Sequence, residues 1–275
     1  MTDITLAQLR PAREASLSAF KAMLLRDVAV LRSNLYSFII RTVMQPLLFV
    51  FVFTYVFPKI GQGIGGARGQ ATFSSLLVPG VVAIACIFQG VQAVMIPLVQ
   101  DFGYTREIED RVMAPLPEWG VAVEKVVAGA LQGLLAAAIV FPLATFIPAT
   151  PVHLNISWPE LLTFLPLATL LGATLGLAIG TRVKPQQVTL IFSVVIIPVT
   201  FLGATYYPWV SLDPIPWLKW AVLINPLVYM SEAFRAALTP QLPHMPVSAI
   251  YAAMIGSIAL LGWLGIDGFK KRVTT

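Results

Sequence analysis

Tyr104-Thr105-Arg106-Glu107-Ile108-Glu109-Asp110-Arg111 is a run of acids and arginines set between two long apolar stretches. The 275-residue chain is 57% hydrophobic and 11% charged, yet five of its thirteen acids (Asp101, Glu107, Glu109, Asp110, Glu118) fall in or beside this run. Hydrocarbon cannot hold such a cluster. The run therefore reads as a water-exposed segment that membrane helices hold in place. Glu107, Asp110 and Arg111 recur at steps of three and four and so share one helix face, and Pro115 and Pro117 then end the helix. The expectation is a short surface helix between two spans. Taken alone, the same residues also fit a solvated loop that contacts nothing.

Outward from this run, apolar stretches near the roughly 20 residues needed to cross a bilayer lie at about 35–57, 73–100, 120–147, 159–181, 187–207 and 247–267. A mean hydropathy of +0.82 agrees with a polytopic chain. The expected fold class is an all-α polytopic membrane protein with six transmembrane helices. A cytoplasmic segment, 1–34, precedes a membrane domain over 35–275. Six crossings place both termini on one side. With the termini inside, fourteen of eighteen basic residues are cytoplasmic, and only Lys59, Arg68, Lys219 and Arg235 are outside. That is a positive-inside bias, so both termini are expected in the cytoplasm. The net charge of +5 is then a topology signal and not the footprint of nucleic-acid binding. The N-terminus has no basic region followed by an apolar one, so no cleaved signal is expected and the first span does the targeting.

Before the first span, Leu17, Phe20, Leu24, Val28, Leu31 and Leu35 recur at steps of three and four among Arg13, Lys21, Arg26 and Arg32. This predicts an amphipathic helix at the membrane interface. Between Tyr206 and Pro246, seven prolines and Trp209, Trp217 and Trp220 interrupt the apolar pattern. The run Trp217–Met230 is too short to cross, so re-entrant helices before the last span are expected, with tryptophans at the water boundary. Gly172, Gly176 and Gly180, with Gly129 and Gly133, form small-residue faces for close helix packing, within the chain or against a second copy.

Enzymatic chemistry finds little support. Gly61-Gln62-Gly63-Ile64-Gly65-Gly66 has the spacing of a dinucleotide loop but follows a membrane helix and opens no βαβ unit. No G-x-x-x-x-G-K-[ST] loop, H-E-x-x-H or G-x-S-x-G is present, so ATP-driven work needs a partner and no catalytic residue is assigned. His153 and His244 stand far apart and are a poor start for a metal site. The single cysteine, Cys86, forbids an intrachain disulfide. Charges within the spans (Arg41, Glu124, Lys125, Glu160, Asp267) lie near their ends. A proton-coupled carrier usually shows one near mid-membrane, although sodium sites can be built from carbonyls. Asn225-Pro226-Leu227 is like the half-helix motif of water channels, which need two copies.

Four stretches resemble the permease subunits of type-2 ABC exporters, the group of drug-resistance, nodulation-factor and polysaccharide exporters. They are Thr105–Pro117 with Glu124-Lys125 following, Tyr207-Pro208 through Pro216-Trp217-Leu218, Asn225-Pro226-Leu227 followed by Glu232, Phe234 and Arg235, and Val78-Pro79-Gly80. Their order and spacing, with the six-span plan, extend the likeness over nearly the whole chain.

The resemblance implies a bacterial or archaeal plasma (inner) membrane protein, paired as a homodimer and working with two cytoplasmic ABC ATPase subunits. Those subunits would bind Mg-ATP, with no cofactor or metal in this chain. Arg106, Glu107, Ile108, Glu109, Asp110 and Arg111 would enter a cleft on the ATPase. The N-terminal helix and the Arg182–Gln187 turn would face the same side. Tyr207, Pro208, Asn225, Pro226, Glu232 and Arg235 would shape the outer gate, with Glu232 and Arg235 paired on one turn. Spans two and five would line the route, with Phe88, Gln89, Gln92, Phe192, Thr200 and Phe201 as candidates. That lining suits an amphipathic drug-like or lipid-like cargo; a lipid-linked glycan or lipo-oligosaccharide is the alternative. The same side chains also fit contacts with lipid or neighbouring helices. From other classes, an ion-coupled carrier and a non-transporting scaffold are the rival readings.

Overall fold

The structure, a computed structural model, describes residues 12–60, 66–105, 115–149 and 151–273. Every regular element among them is helical. α1 (Ala12–Ser33) leads into α2 (Leu35–Val50), which continues through a wider-turned segment, Phe51–Val56. Then come α3 (Gly66–Gln100), α4 (Glu118–Phe146), α5 (Trp158–Gly180) and the apolar run α6 (Pro185–Phe201). The short α7 (Pro216–Ala221) and α8 (Pro226–Leu238) precede α9 (Val247–Val273).

Five stretches among the described residues are long and apolar enough to cross a membrane: Leu35–Val56, Phe73–Gly103, Glu118–Phe146, Trp158–Gly180 and Val247–Val273. α6 is the shorter sixth apolar helix, about 26 Å long at 1.5 Å per residue. It stops at Phe201, six residues before the expected end of that span at 207. Two local features explain the early stop. Leu227 packs where a Cβ on Gly203 would stand, 2.5 Å from its Cδ2, and Ala204 takes a left-handed φ of 52°, which a helix cannot continue through. Within α6, Pro198 cannot donate to the carbonyl of Val194, and the backbone widens there across Phe192–Ile196.

α3 is the central helix and packs on α5, α4, α8 and α2. The α3–α5 contact is backbone to backbone. A Cβ at Gly172 would lie 2.9 Å from the Cys86 carbonyl oxygen, and one at Gly176 2.9 Å from that of Gly90. Contacts this close need glycine. The glycine stripe of span four is therefore used inside the chain.

The described N- and C-terminal elements share one end of the bundle. There Arg272 donates to the carbonyls of Gly180 (3.2 Å) and Val183 (2.9 Å), and Arg182 donates to Leu264 (2.8 Å). Basic side chains at the C-terminal end of α5 thus satisfy carbonyls that the helix leaves open. α1 lies against α4 and α2 at this end. Phe20, Leu24 and Leu31 are half-buried as the periodicity predicts, whereas Leu17 and Val28 face outward at 62% and 45% exposure.

Candidate functional site

The candidate coupling residues Arg106, Glu107, Ile108, Glu109, Asp110 and Arg111 lie outside the described residues, as does the Gly61–Gly65 loop. Their flanks are described. Before them, α3 continues as a wide-turned segment, Asp101–Thr105. Here the Phe102 ring meets Phe269 of α9 edge-on at 5.6 Å, with the Arg272 guanidinium 4.7 Å above it. Gly103 sits against Pro185, whose Cγ is 2.2 Å from where a Cβ would stand. After them, Pro117 is extended (φ −62°, ψ 148°) and Glu118 opens α4, a charge that suits a helix N-terminus. Both flanks are thus seated on the end of the bundle that carries α1 and the Arg182–Gln187 turn.

Glu124 and Lys125 stand in the second turn of α4 and are buried. Lys125 Nζ lies 2.6 Å from Asp27 Oδ2 of α1 and 3.9 Å from Glu124 Oε2. This clamp joins the N-terminal helix to span three, and the sequence reading missed it. A signal was available: Phe20, Leu24, Asp27 and Leu31 run at steps of four, three and four, so Asp27 interrupts the inward stripe of its own helix.

At the other end, most of the expected gate residues hold neighbouring parts of the chain together. Asn225 caps α8, with its Oδ1 accepting from Leu227 N at 2.9 Å and Pro226 at the first helical position, as helix starts favour. Its Nδ2 donates to the Val199 carbonyl at 2.6 Å, tying α8 to α6. Glu232 and Arg235 are wholly buried and paired at 2.5 Å. Glu232 Oε1 also accepts from Trp209 N (2.9 Å), and Oε2 from Met245 N (2.6 Å). Arg235 Nη2 donates to the carbonyls of Ala204 (3.0 Å) and Tyr207 (3.5 Å). The pair is therefore more than a local tie on one turn. It ties two non-helical stretches of chain, Ala204–Trp209 and the segment at Met245, to α8 in one polar knot. Such partners offset the desolvation of a buried ion pair, and of the pair's side-chain polar atoms Arg235 Nε is the one left without a hydrogen bond among the described residues.

Val78-Pro79-Gly80 gains its meaning here. A Cβ on Gly80 would stand 2.1 Å from the Thr205 carbonyl oxygen, so only glycine lets α3 touch the strap that follows α6. On the rim, Lys219 lies 4.2 Å from the Trp209 ring centroid and pairs with Asp213. Trp217 and Trp220 are 73% and 68% exposed, as expected of a membrane–water boundary.

The candidate route residues separate. Thr42 Oγ1 donates to Gln89 Oε1 (3.0 Å), and Gln89 Nε2 donates to Gln132 Oε1 (3.2 Å), linking α2, α3 and α4. Phe88 and Gln92 border the same polar seam beside Arg41 and Gln45. Phe192, Thr200 and Phe201 lie on α6. There Thr200 is buried with its hydroxyl on the Ile196 carbonyl, and Phe201 is 54% exposed. Among the described residues, no group of three His, Cys, Asp or Glu side chains could hold a metal ion.

A family model for ABC-2 type transporters matches residues 18–239. The inner membrane transport permease YadH of Escherichia coli K12 is 28% identical over 202 residues, 71% of this chain and 75% of YadH. The permease of the same name from Shigella flexneri is similar to the same degree.

Proposed function

The chain belongs to the ABC-2 type transporter family, and from that premise we propose that it forms half of an ATP-driven exporter for an amphipathic, drug-like or lipid-like cargo. As a member it is a membrane permease subunit that works with an ATPase subunit, and the likeness to inner membrane permeases supports a multi-pass inner membrane protein. In the proposed assembly two copies of this chain pair with two ATPase subunits, which bind Mg-ATP. Both termini face the cytoplasm. Residues Arg106–Arg111 then project toward the ATPase, and the Glu232–Arg235 knot lies under the outer surface.

The observation that carries this reading is the reach of α3. One end of it runs into the flank of the coupling segment, and near the other Gly80 touches the Thr205 carbonyl. Phe73–Gly103 comprises 31 residues, about 46 Å of helix, more than the roughly 30 Å hydrocarbon core. A push at the Asp101 end is delivered along a stiff element to the strap that Arg235 and Glu232 hold. The strap is braced at its carbonyls and at Trp209 N, so it moves as a unit.

Replacing Glu107 and Asp110 by alanine tests the coupling role. Transport and ATPase retention are expected to fall while membrane insertion is unchanged. Full transport by this double variant would remove the assignment.

A further inference from the structure

A cavity of about 560 Å³ opens between α1, α2, α3 and α4 at the end of the bundle that carries the basic residues. Among the described residues its charged lining is Arg26, Arg41, Lys125 and Asp27, and Arg26 already has a partner of its own. Lys125 is buried and already held by Asp27. Arg41 makes neither a hydrogen bond nor an ion pair with any described residue. It stands six residues past the start of α2, about 9 Å along the span. A guanidinium at that depth is costly against lipid and settles by facing a polar cavity.

The floor is amide. Gln89 and Gln132 are joined to each other and to Thr42, and Gln92 lines the cavity with no hydrogen bond to a described residue. Donors on several walls match a group whose acceptor oxygens point in several directions. A phosphate does so, and arginine forks suit it. A carboxylate offers only two oxygens in one plane.

The mouth shows what the rest of the occupant is. Arg26, Asn34 and Arg41 are exposed there, and the surrounding faces of α1 and α2 expose Leu25 (67%), Val30 (53%), Tyr36 (79%) and Ile40 (43%). A cationic, amide-lined pocket rimmed by apolar surface is complementary to an amphiphile, with its head inside and its chains along the helices.

We propose that this cavity binds the net-anionic, phosphate-bearing headgroup of a membrane amphiphile. Arg41 meets the phosphate, and the amides of Gln92 and Gln132 meet its ester or hydroxyl oxygens. As a loading point for cargo the cavity rests on the permease reading. As a binding site it stands on the geometry alone, so its test needs no ATPase.

The full chain, purified in a non-ionic detergent, is titrated with dioctanoyl phosphatidic acid, dioctanoyl phosphatidylcholine and inorganic phosphate, and binding is read by native mass spectrometry. Saturable uptake of one phosphatidic acid per chain is expected, with no saturable uptake of the zwitterionic lipid. Arg41→Gln is expected to weaken binding about tenfold or more, and Gln92→Leu to weaken it less; neither side chain supports the fold. Equal binding of the two lipids, or unchanged binding in Arg41→Gln, would overturn the proposal. Displacement by inorganic phosphate at equal concentration would assign the cavity to a free anion and overturn the amphiphile.

Discussion

Glu232 and Arg235 anchor a buried polar network, because each meets backbone as well as its partner. Glu232→Ala strands a guanidinium with no exposed surface, and such losses cost about 3–5 kcal/mol. A large fall in the thermal midpoint of the detergent-solubilised chain is therefore expected. The double variant Glu232→Gln with Arg235→Leu removes both charges and is expected to recover part of that loss, not all, since an amide cannot accept for both Trp209 N and Met245 N. Full recovery would mean that the backbone contacts contribute nothing. Asp27 is the second residue-scale case. Asp27→Asn removes the nearer of the two carboxylates beside buried Lys125 and the one that ties it to α1, and limited proteolysis is expected to cut within α1 sooner than in the parent chain. The sequence made the first pair legible because residues three apart on a helix meet on one face. Asp27 and Lys125 are separated by 98 positions, and only the helix packing brings them together.

At the scale of elements, the spans were legible because the bilayer imposes a length and a polarity that composition alone reveals. Three of the five long crossings, at Leu35, Phe73 and Val247, begin at the expected residue, and the other two, at Glu118 and Trp158, begin within two residues of it. The end of α6 was not legible. Its residues through Tyr207 are apolar enough to continue, and what stops them is Leu227 against Gly203 and Arg235 on the Ala204 carbonyl, contacts with a later part of the chain. The glycine stripe was legible as a close-packing surface, while its partner, the Cys86–Gly90 face of α3, was not. Gly176→Leu places a side chain where a carbonyl lies 2.9 Å from even the first added carbon. The expected outcome is loss of the monodisperse peak in size-exclusion chromatography, whereas Ala substitutions on the exposed side of α5, as at Leu162, leave it intact. Asn225→Ala removes a helix cap, usually worth about 1 kcal/mol, and is expected to lower the unfolding midpoint by much less than Glu232→Ala does.

For the whole molecule, the six apolar helices and the meeting of both described termini at one end fit the even number of crossings read from the sequence. The orientation we propose from the charge count has a direct check: a reporter fused to the C-terminus is expected to be active only in the cytoplasm. The candidate site was half legible. The expected gate residues were recognisable from a local order of proline, asparagine and charge; of them Glu232, Arg235 and the Tyr207 carbonyl meet in one knot, while Asn225 and Pro226 start α8. The placement of the expected route residues was not legible, because facing is a property of packing: Gln89 and Gln92 border the seam with α2 and α4, while Phe192 and Phe201 belong to α6. The central claim remains that this permease is driven by a separate ATPase. Purification of the tagged full chain from native membranes in mild detergent, with mass spectrometry of the associated proteins, tests it most directly. The account predicts a stoichiometric ATPase subunit bearing a phosphate-loop motif, lost when Glu107 and Asp110 are alanine. A folded permease that reproducibly comes alone would contradict it and favour an ion-coupled carrier.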